Sequence, residues 1–345
     1  MPRAPGICMI ALAAVAVAAP AAKASDREYK LILTSEAGDP VSPLGNAMRL
    51  WESLIEKESA GRIQVEVFYQ GELGGQQELF DQLIRGNIDM MITWPQTSYD
   101  ERIGVNYIPY LVLGWDDAIA AFAPDGWVQE LMAPIYEEIG LKYIGPFPEG
   151  FGGIATQGRY ATGFDEAQGI KVRSQPVFPL PQTVNAMGFQ AVPIDWAEVY
   201  TSLQTGVVDG DSSNVIYWDY EYFGDVLDYF VQTSHNFSSF SLLMSDSLWD
   251  EMDEADREIV MGAARAVIDK QFLEARAEDE RWIAAAQEGG MEYIVPTPEQ
   301  QLAWVERVRA EVWPQIEASL GSEIMDVVRR NAAVPGEAAA PGTGG

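Results

Sequence analysis

Arg173 is the residue whose type and setting most suggest chemistry. It ends the run Ile170-Lys171-Val172-Arg173, which reads as a strand. In a strand successive side chains alternate, so Ile170 and Val172 point one way while Lys171 and Arg173 point the other. A guanidinium at a strand's end, reaching over a crevice, can grip a carboxylate with two parallel N–H donors. In so acidic a chain the competing reading is a surface salt bridge. Trp94 directly follows the apolar run Ile88–Thr93 and precedes Pro95. That places it at a strand's C-terminal end, where open α/β sheets bind ligands. Trp218 stands beside Tyr217, Tyr220 and Tyr222. For each of these aromatics ordinary packing is the alternative.

Other chemistries lack their residues. The chain has one histidine, His235, so a two-histidine zinc motif is excluded. A lone histidine of this kind more often satisfies a local hydrogen bond than contacts a ligand. No Gly-x-Ser-x-Gly elbow, phosphate-binding loop or Gly-x-Gly-x-x-Gly opens a helix. Asp209-Gly210-Asp211-Ser212-Ser213-Asn214 begins like a calcium loop. It carries Asn214 where the sixth position needs glycine and Tyr220 where the twelfth needs glutamate. Neither a metal nor a cofactor is therefore expected. A carboxylate pair for glycoside chemistry stays open, because acids are abundant and none is singled out.

The elements that must carry these residues alternate. Tyr29–Leu33 reads as a strand, and Ser42 caps a helix with Pro43 at its first position. Ile63–Val67 alternates apolar and polar residues as a strand does, Gln76–Arg85 is an amphipathic helix, and Ile88–Thr93 is a strand. This succession predicts a parallel sheet with helices on its faces. A second α/β block begins near Phe151, with strands at Ile170–Arg173 and Phe189–Pro193. Asp195, with Glu198 as capping-box partner, is expected to start a helix that Gly206 closes. Phe240–Met244 reads as a strand. Beyond it lie a helical stretch over Asp253–Gln287, whole or broken, and another over Glu299–Leu320, interrupted by Pro314.

At the amino end, Arg3 precedes an apolar run from Ile7 to Ala19 and then Ala22-Lys23-Ala24. The pattern predicts a secretory leader over residues 1–24, too short to span a bilayer, containing the only cysteine, Cys8. Without the leader 20 basic residues face 52 acids, a net charge of −32. Nucleic acid and anionic membrane would repel such a chain, so neither is expected as a partner. No later segment reaches transmembrane length, which argues against membrane insertion. The Ala-, Pro- and Gly-rich stretch 332–345 predicts a disordered tail.

Five segments then carry a resemblance. They are Gly61–Phe68, Gly71-Glu72-Leu73-Gly74-Gly75, Gly86-Asn87-Ile88-Asp89-Met90, Gly169-Ile170-Lys171-Val172-Arg173-Ser174-Gln175-Pro176 and Glu198–Gly210. In this order the chain resembles the solute-binding proteins of tripartite ATP-independent periplasmic (TRAP) transporters, the DctP-like family, from about Lys30 to about Arg330. The resemblance implies an α/β, two-domain periplasmic binding protein with a ligand cleft between the domains and a long interdomain helix. One domain would comprise residues 25–150 and the other 151–235, each with parts of 236–331. It further implies a periplasmic solute receptor, not an enzyme, that closes by a hinge around a small organic acid and delivers it to TRAP membrane subunits. Arg173 matches the family arginine that binds the ligand's carboxylate. Trp94, Phe151 and Trp218 would cover the ligand's body, and Ser213 or Asn214 would supply polar contacts. Glu36 could face a cationic group, its alternative being a solvated loop acid. Many relatives have Phe-Arg followed by Asn where this chain has Phe151-Gly152-Gly153, so a second cleft arginine is absent. That favours a monocarboxylate, sulfonate or zwitterion over a dicarboxylate or a large sugar acid. The competing functions are a periplasmic enzyme acting on carboxylates and a ligand-sensing module for a membrane receptor.

Overall fold

The computed structural model describes residues 26–335. The expected leader with Cys8, and residues 336–345, lie outside the described residues. Among the described residues eleven strands form two sheets: β1 (Tyr29–Thr34), β2 (Ile63–Phe68), β3 (Met90–Thr93), β4 (Leu141–Phe151), β5 (Ile154–Thr156), β6 (Lys171–Ser174), β7 (Gln190–Pro193), β8 (Gly210–Ser212), β9 (Tyr229–Val231), β10 (Phe237–Ser245) and β11 (Glu292–Ile294). The first sheet has the order β2-β1-β3-β10-β4, and the second β11-β9-β5-β8-β6-β7.

In the first sheet β1 lies parallel to β2 and β3. The helix Pro43–Glu58 connects β1 to β2, its N-cap made by Ser42, whose hydroxyl accepts from the Gly45 N–H at 2.9 Å. Its apolar stripe, Leu44, Ala47, Met48, Trp51 and Ile55, is buried. The Trp51 indole donates to the Val260 carbonyl at 3.4 Å, tying this helix to the long one. In the second sheet β6 runs parallel to β7 and β8, while β5 is antiparallel to β8 and β9.

The two sheets are joined by crossing chain. β4 leaves the first sheet and continues through Gly152-Gly153 into β5 of the second. β10 makes the return journey from β9 and pairs antiparallel with β4, from Phe237 opposite Phe151 to Ser245 opposite Leu141. Gly152 marks the crossing because nothing larger fits: a Cβ there would lie 2.3 Å from Asn236 Oδ1 and 2.7 Å from the Ser213 carbonyl oxygen. An arginine at this position has no room here.

The helix Glu254–Glu288 runs unbroken for 35 residues from an Asp253 N-cap. The helix Pro298–Leu320 passes through Pro314 without interruption. Packing holds it there, since Val312 and Ile316 on either side of the proline are fully buried and the Trp313 indole donates to the Pro109 carbonyl at 3.0 Å. The same helix reaches the second sheet's helix 180–186 through Arg307 Nε to the Ala186 carbonyl, 3.0 Å.

Two sequence expectations need correction. Asp195 makes no side-chain cap. It heads a 3-10 turn, Trp196–Glu198, closed by the backbone bond from the Glu198 N–H to the Asp195 carbonyl, and the α-helix starts only at Val199. The tail is held further than expected, because the Ala333 N–H donates to the Leu111 carbonyl and Arg309 donates to the Ala333 carbonyl.

Candidate functional site

Parallel strands bring their carboxyl ends, and the residues just beyond them, to one region. From the first sheet come Glu36, after β1, and Trp94, after β3. From the second come Arg173 on β6 and Ser213 and Asn214 after β8.

Lys171 is exposed, but Arg173 is 1 % exposed. The surface-salt-bridge reading therefore fails: β6 lies inside its sheet, and Trp196 and Asp211 cover the arginine's face. Nε of Arg173 donates to the Ile194 carbonyl at 2.9 Å, and Nη1 donates to Asp211 Oδ1 at 3.3 Å. Nη2 has no hydrogen-bond partner among the described residues. The guanidinium lies 5.9 Å from the Trp196 ring centroid.

Asp211 is not alone. Nδ2 of Asn214 donates to Asp211 Oδ2 at 2.7 Å and to Asp219 Oδ1 at 3.0 Å, so one amide bridges two fully buried carboxyls. Burial, and then the nearby Asp211 charge, push the Asp219 carboxyl well above its ordinary range. Burial raises the Asp211 carboxyl too, against the lowering effect of the Arg173 charge beside it, so Asp219 is the member driven further toward its neutral form. Asn214, expected to contact ligand, spends its amide on this pair. Ser213 holds a left-handed backbone, φ +73°, which costs a non-glycine residue roughly 1 kcal/mol. Its hydroxyl sits 3.0 Å from Nε2 of His235, whose Nδ1 lies 2.6 Å from the Thr233 hydroxyl. Burial lowers the His235 pKa to about 3, so this imidazole is neutral and held on both nitrogens.

Glu36 is 6 % exposed, which rules out a solvated loop acid. Its Oε1 accepts from the Thr93 hydroxyl at 2.9 Å, the Trp94 backbone N–H at 3.0 Å and Gln76 Nε2 at 3.1 Å. Oε2 has no partner. Burial pushes this carboxyl up to about 7.

The aromatic wall is larger than the sequence suggested. Trp94 stacks on Phe240 at 4.7 Å and meets Trp196 at 5.4 Å and Trp218 at 5.5 Å; Trp196 and Trp218 are also 5.5 Å apart. Glu149, on β4, accepts from both the Trp94 and the Trp218 indole N–H and is likewise pushed up to about 7 by burial. A cavity of about 30 Å³ adjoins Glu149 and Trp218, room for a water or two. Phe151 is not brought to this wall. It packs edge-on to Trp115 and Phe237 in a separate apolar cluster. Burial holds the Tyr107 hydroxyl, which donates to the Pro95 carbonyl, well above its ordinary range, with Tyr136, Glu36 and Glu149 raising it further and Arg173 opposing them.

Sequence reasoning missed Glu149, Trp196, Asp211 and Asp219. Glu149 had one signal: it is the sole acid in the eleven-residue β4, flanked by Pro148 and Gly150. Asp211 stood out only within the calcium-loop-like run and Asp219 not at all, since only packing sets this pair apart from the chain's other acids.

Known proteins share this architecture. The family described as bacterial extracellular solute-binding protein, family 7, matches residues 34–319. The ectoine-binding periplasmic protein TeaA of Halomonas elongata is 25 % identical over 80 % of this chain and 82 % of its own length. The C4-dicarboxylate-binding periplasmic protein DctP of Rhodobacter capsulatus is 24 % identical over 84 % and 87 %. A TRAP periplasmic solute-binding protein of Sulfurospirillum deleyianum, solved with bound succinate, superposes with a TM-score of 0.80, covering 88 % of this chain and 99 % of its own at 22 % identity.

Proposed function

The chain belongs to family 7 of the bacterial extracellular solute-binding proteins, and from that premise we propose that it captures a small zwitterionic organic acid for a TRAP transporter. The family consists of solute receptors rather than enzymes, and its fold is the two-domain one seen in TRAP binding proteins. Among the described residues no helix is long and apolar enough to cross a membrane. The expected leader supports a periplasmic location, and the closed receptor would dock on TRAP membrane subunits.

The observation that carries the ligand class is a pairing. Among the described residues Arg173 Nη2 has no hydrogen-bond partner, and Glu36 Oε2 is a buried carboxyl oxygen with none. Trp94, whose backbone N–H binds Glu36, touches Trp196, whose ring lies 5.9 Å from the Arg173 guanidinium, and both touch Trp218. An acid group bound at Arg173 and a cationic group directed to Glu36 would satisfy both, with the indoles against the ligand's body. Asp211 already balances Arg173, so a second negative charge on the ligand would find no cation. Solved family members with bound succinate and bound L-gulonate show that other acids are taken elsewhere in the fold family. Contacts from both domains then favour the closed state over the open one. In this role Ser213 and Asn214 shape the Arg173 side of the site by holding His235 and Asp211.

A thermal-shift panel tests this. Ectoine, betaines, simple monocarboxylates, sulfonates, succinate and sugar acids would each be added at graded concentrations. A ligand at a hundred times its dissociation constant adds about 2.7 kcal/mol to stability. The expected outcome is a rise with zwitterions and none with succinate. A rise confined to dicarboxylates or sugar acids overturns the assignment.

A further inference from the structure

We propose that Glu149 is the positioning residue that couples the two walls of the site, one carboxylate holding an indole from each sheet's unit. Trp94 extends from β3 of the first sheet, and Trp218 lies on the helix Ile216–Phe223 that follows β8 of the second. Glu149 sits on β4, two residues before that strand leaves its own sheet for the other. Oε2 accepts from Trp94 Nε1 at 3.0 Å and from the Ser238 hydroxyl at 2.6 Å, and Oε1 accepts from Trp218 Nε1. The rings so fixed touch each other and both touch Trp196, which in turn lies beside the Arg173 guanidinium.

The chemistry requires a carboxylate. Two indole N–H groups are both donors, so the group between them must accept twice and present no hydrogen toward either. An ionised carboxylate has two acceptor oxygens; a glutamine has one, and its amide would set N–H against N–H. Charge also strengthens each bond relative to a neutral acceptor. Simple burial does not explain an acid here, because an apolar residue would leave both indole donors unpaired beside the aromatic cluster. Glu149 therefore ties the position of one wall to that of the other. The consequence for ligand capture rests on the hinge-closure reading above.

Indole proton–nitrogen NMR of the ligand-free protein tests the coupling. Trp94→Phe and Trp218→Phe identify the two resonances among those of the 10 tryptophans. Glu149→Gln keeps every ring and nearly the same volume, and it should shift both resonances, with smaller changes at the other indoles. If either resonance stays in place, the proposal fails. Should Glu149→Gln not fold, a pH titration of the unaltered protein gives the same answer. The other titratable groups facing this region are Glu278, Asp279 and Tyr217, which line the adjoining cavity, and Glu36, which binds the Trp94 backbone N–H. Both indole resonances should follow one shared midpoint, and that midpoint should persist in Glu36→Gln. Separate midpoints, or no titration, overturn the proposal. No ligand enters this test, so its failure leaves the Arg173 assignment intact, and failure of the ligand panel leaves this one intact.

Discussion

Arg173 and Asp211 each become a liability if the other is removed. Deleting one partner of a buried pair costs about 3–5 kcal/mol, because a charge stays behind without compensation. Arg173→Met should therefore lower the denaturation midpoint and abolish ligand-induced stabilisation. Adding Asp211→Asn should restore much of the stability while binding stays lost. If the double variant binds as tightly as the unaltered protein, Arg173 is not the anchor. Asp219→Asn should cost less than about 1 kcal/mol by urea denaturation, since burial and the Asp211 charge already push that carboxyl toward its neutral form. The pH dependence follows by sign. Glu36 and Glu149 have folded pKa values raised to about 7, so the stability they favour is present below their unfolded values near 4.5 and lost as pH rises to about 7. His235 acts oppositely: its folded value near 3 means stability is lost as pH falls below its ordinary 6.5. Replacing both glutamates by glutamine should flatten the decline between pH 5 and 7 in urea titrations, and an unchanged slope would contradict their raised values.

The crossing elements set what the cleft can contain. Gly152 is hemmed in by Asn236 and by the Ser213 backbone, and the latter cannot swing away as a side chain can. Gly152→Ala should destabilise the protein by about 1–3 kcal/mol, read as a lower thermal midpoint, and an arginine there should be worse. A neutral Gly152→Ala would show that the crossing gives more readily than its geometry suggests. The sequence read the strands, the cap at Ser42 and the extent of the long helix well, because period and capping chemistry are local. It misread Asp195, where a backbone turn does the work expected of a side chain. It also took Pro314 for a break, where burial of Val312 and Ile316 offsets the lost hydrogen bond.

Over the whole molecule, 52 acids against 22 basic residues give a net charge of −30, and most of the acids lie on exposed faces. Self-repulsion of that size weakens the folded state and is screened by salt over roughly 10 Å at 0.1 M. The thermal midpoint should rise between 10 mM and 1 M sodium chloride, and no rise would mean that the acids are already compensated by neighbours. Composition, order of elements and the five family segments were enough to fix the class of protein, because each depends on local pattern or on spacing along the chain. Even Arg173 could be singled out from alternation and position. That it is buried, balanced by Asp211 and backed by Asp219 was decided only in three dimensions. The same holds for Glu36, for Glu149 between two indoles and for the exclusion of Phe151 from the wall. Burial and partnership are made by residues tens to hundreds of positions apart, and no local pattern marks which of many carboxyls will be taken out of water.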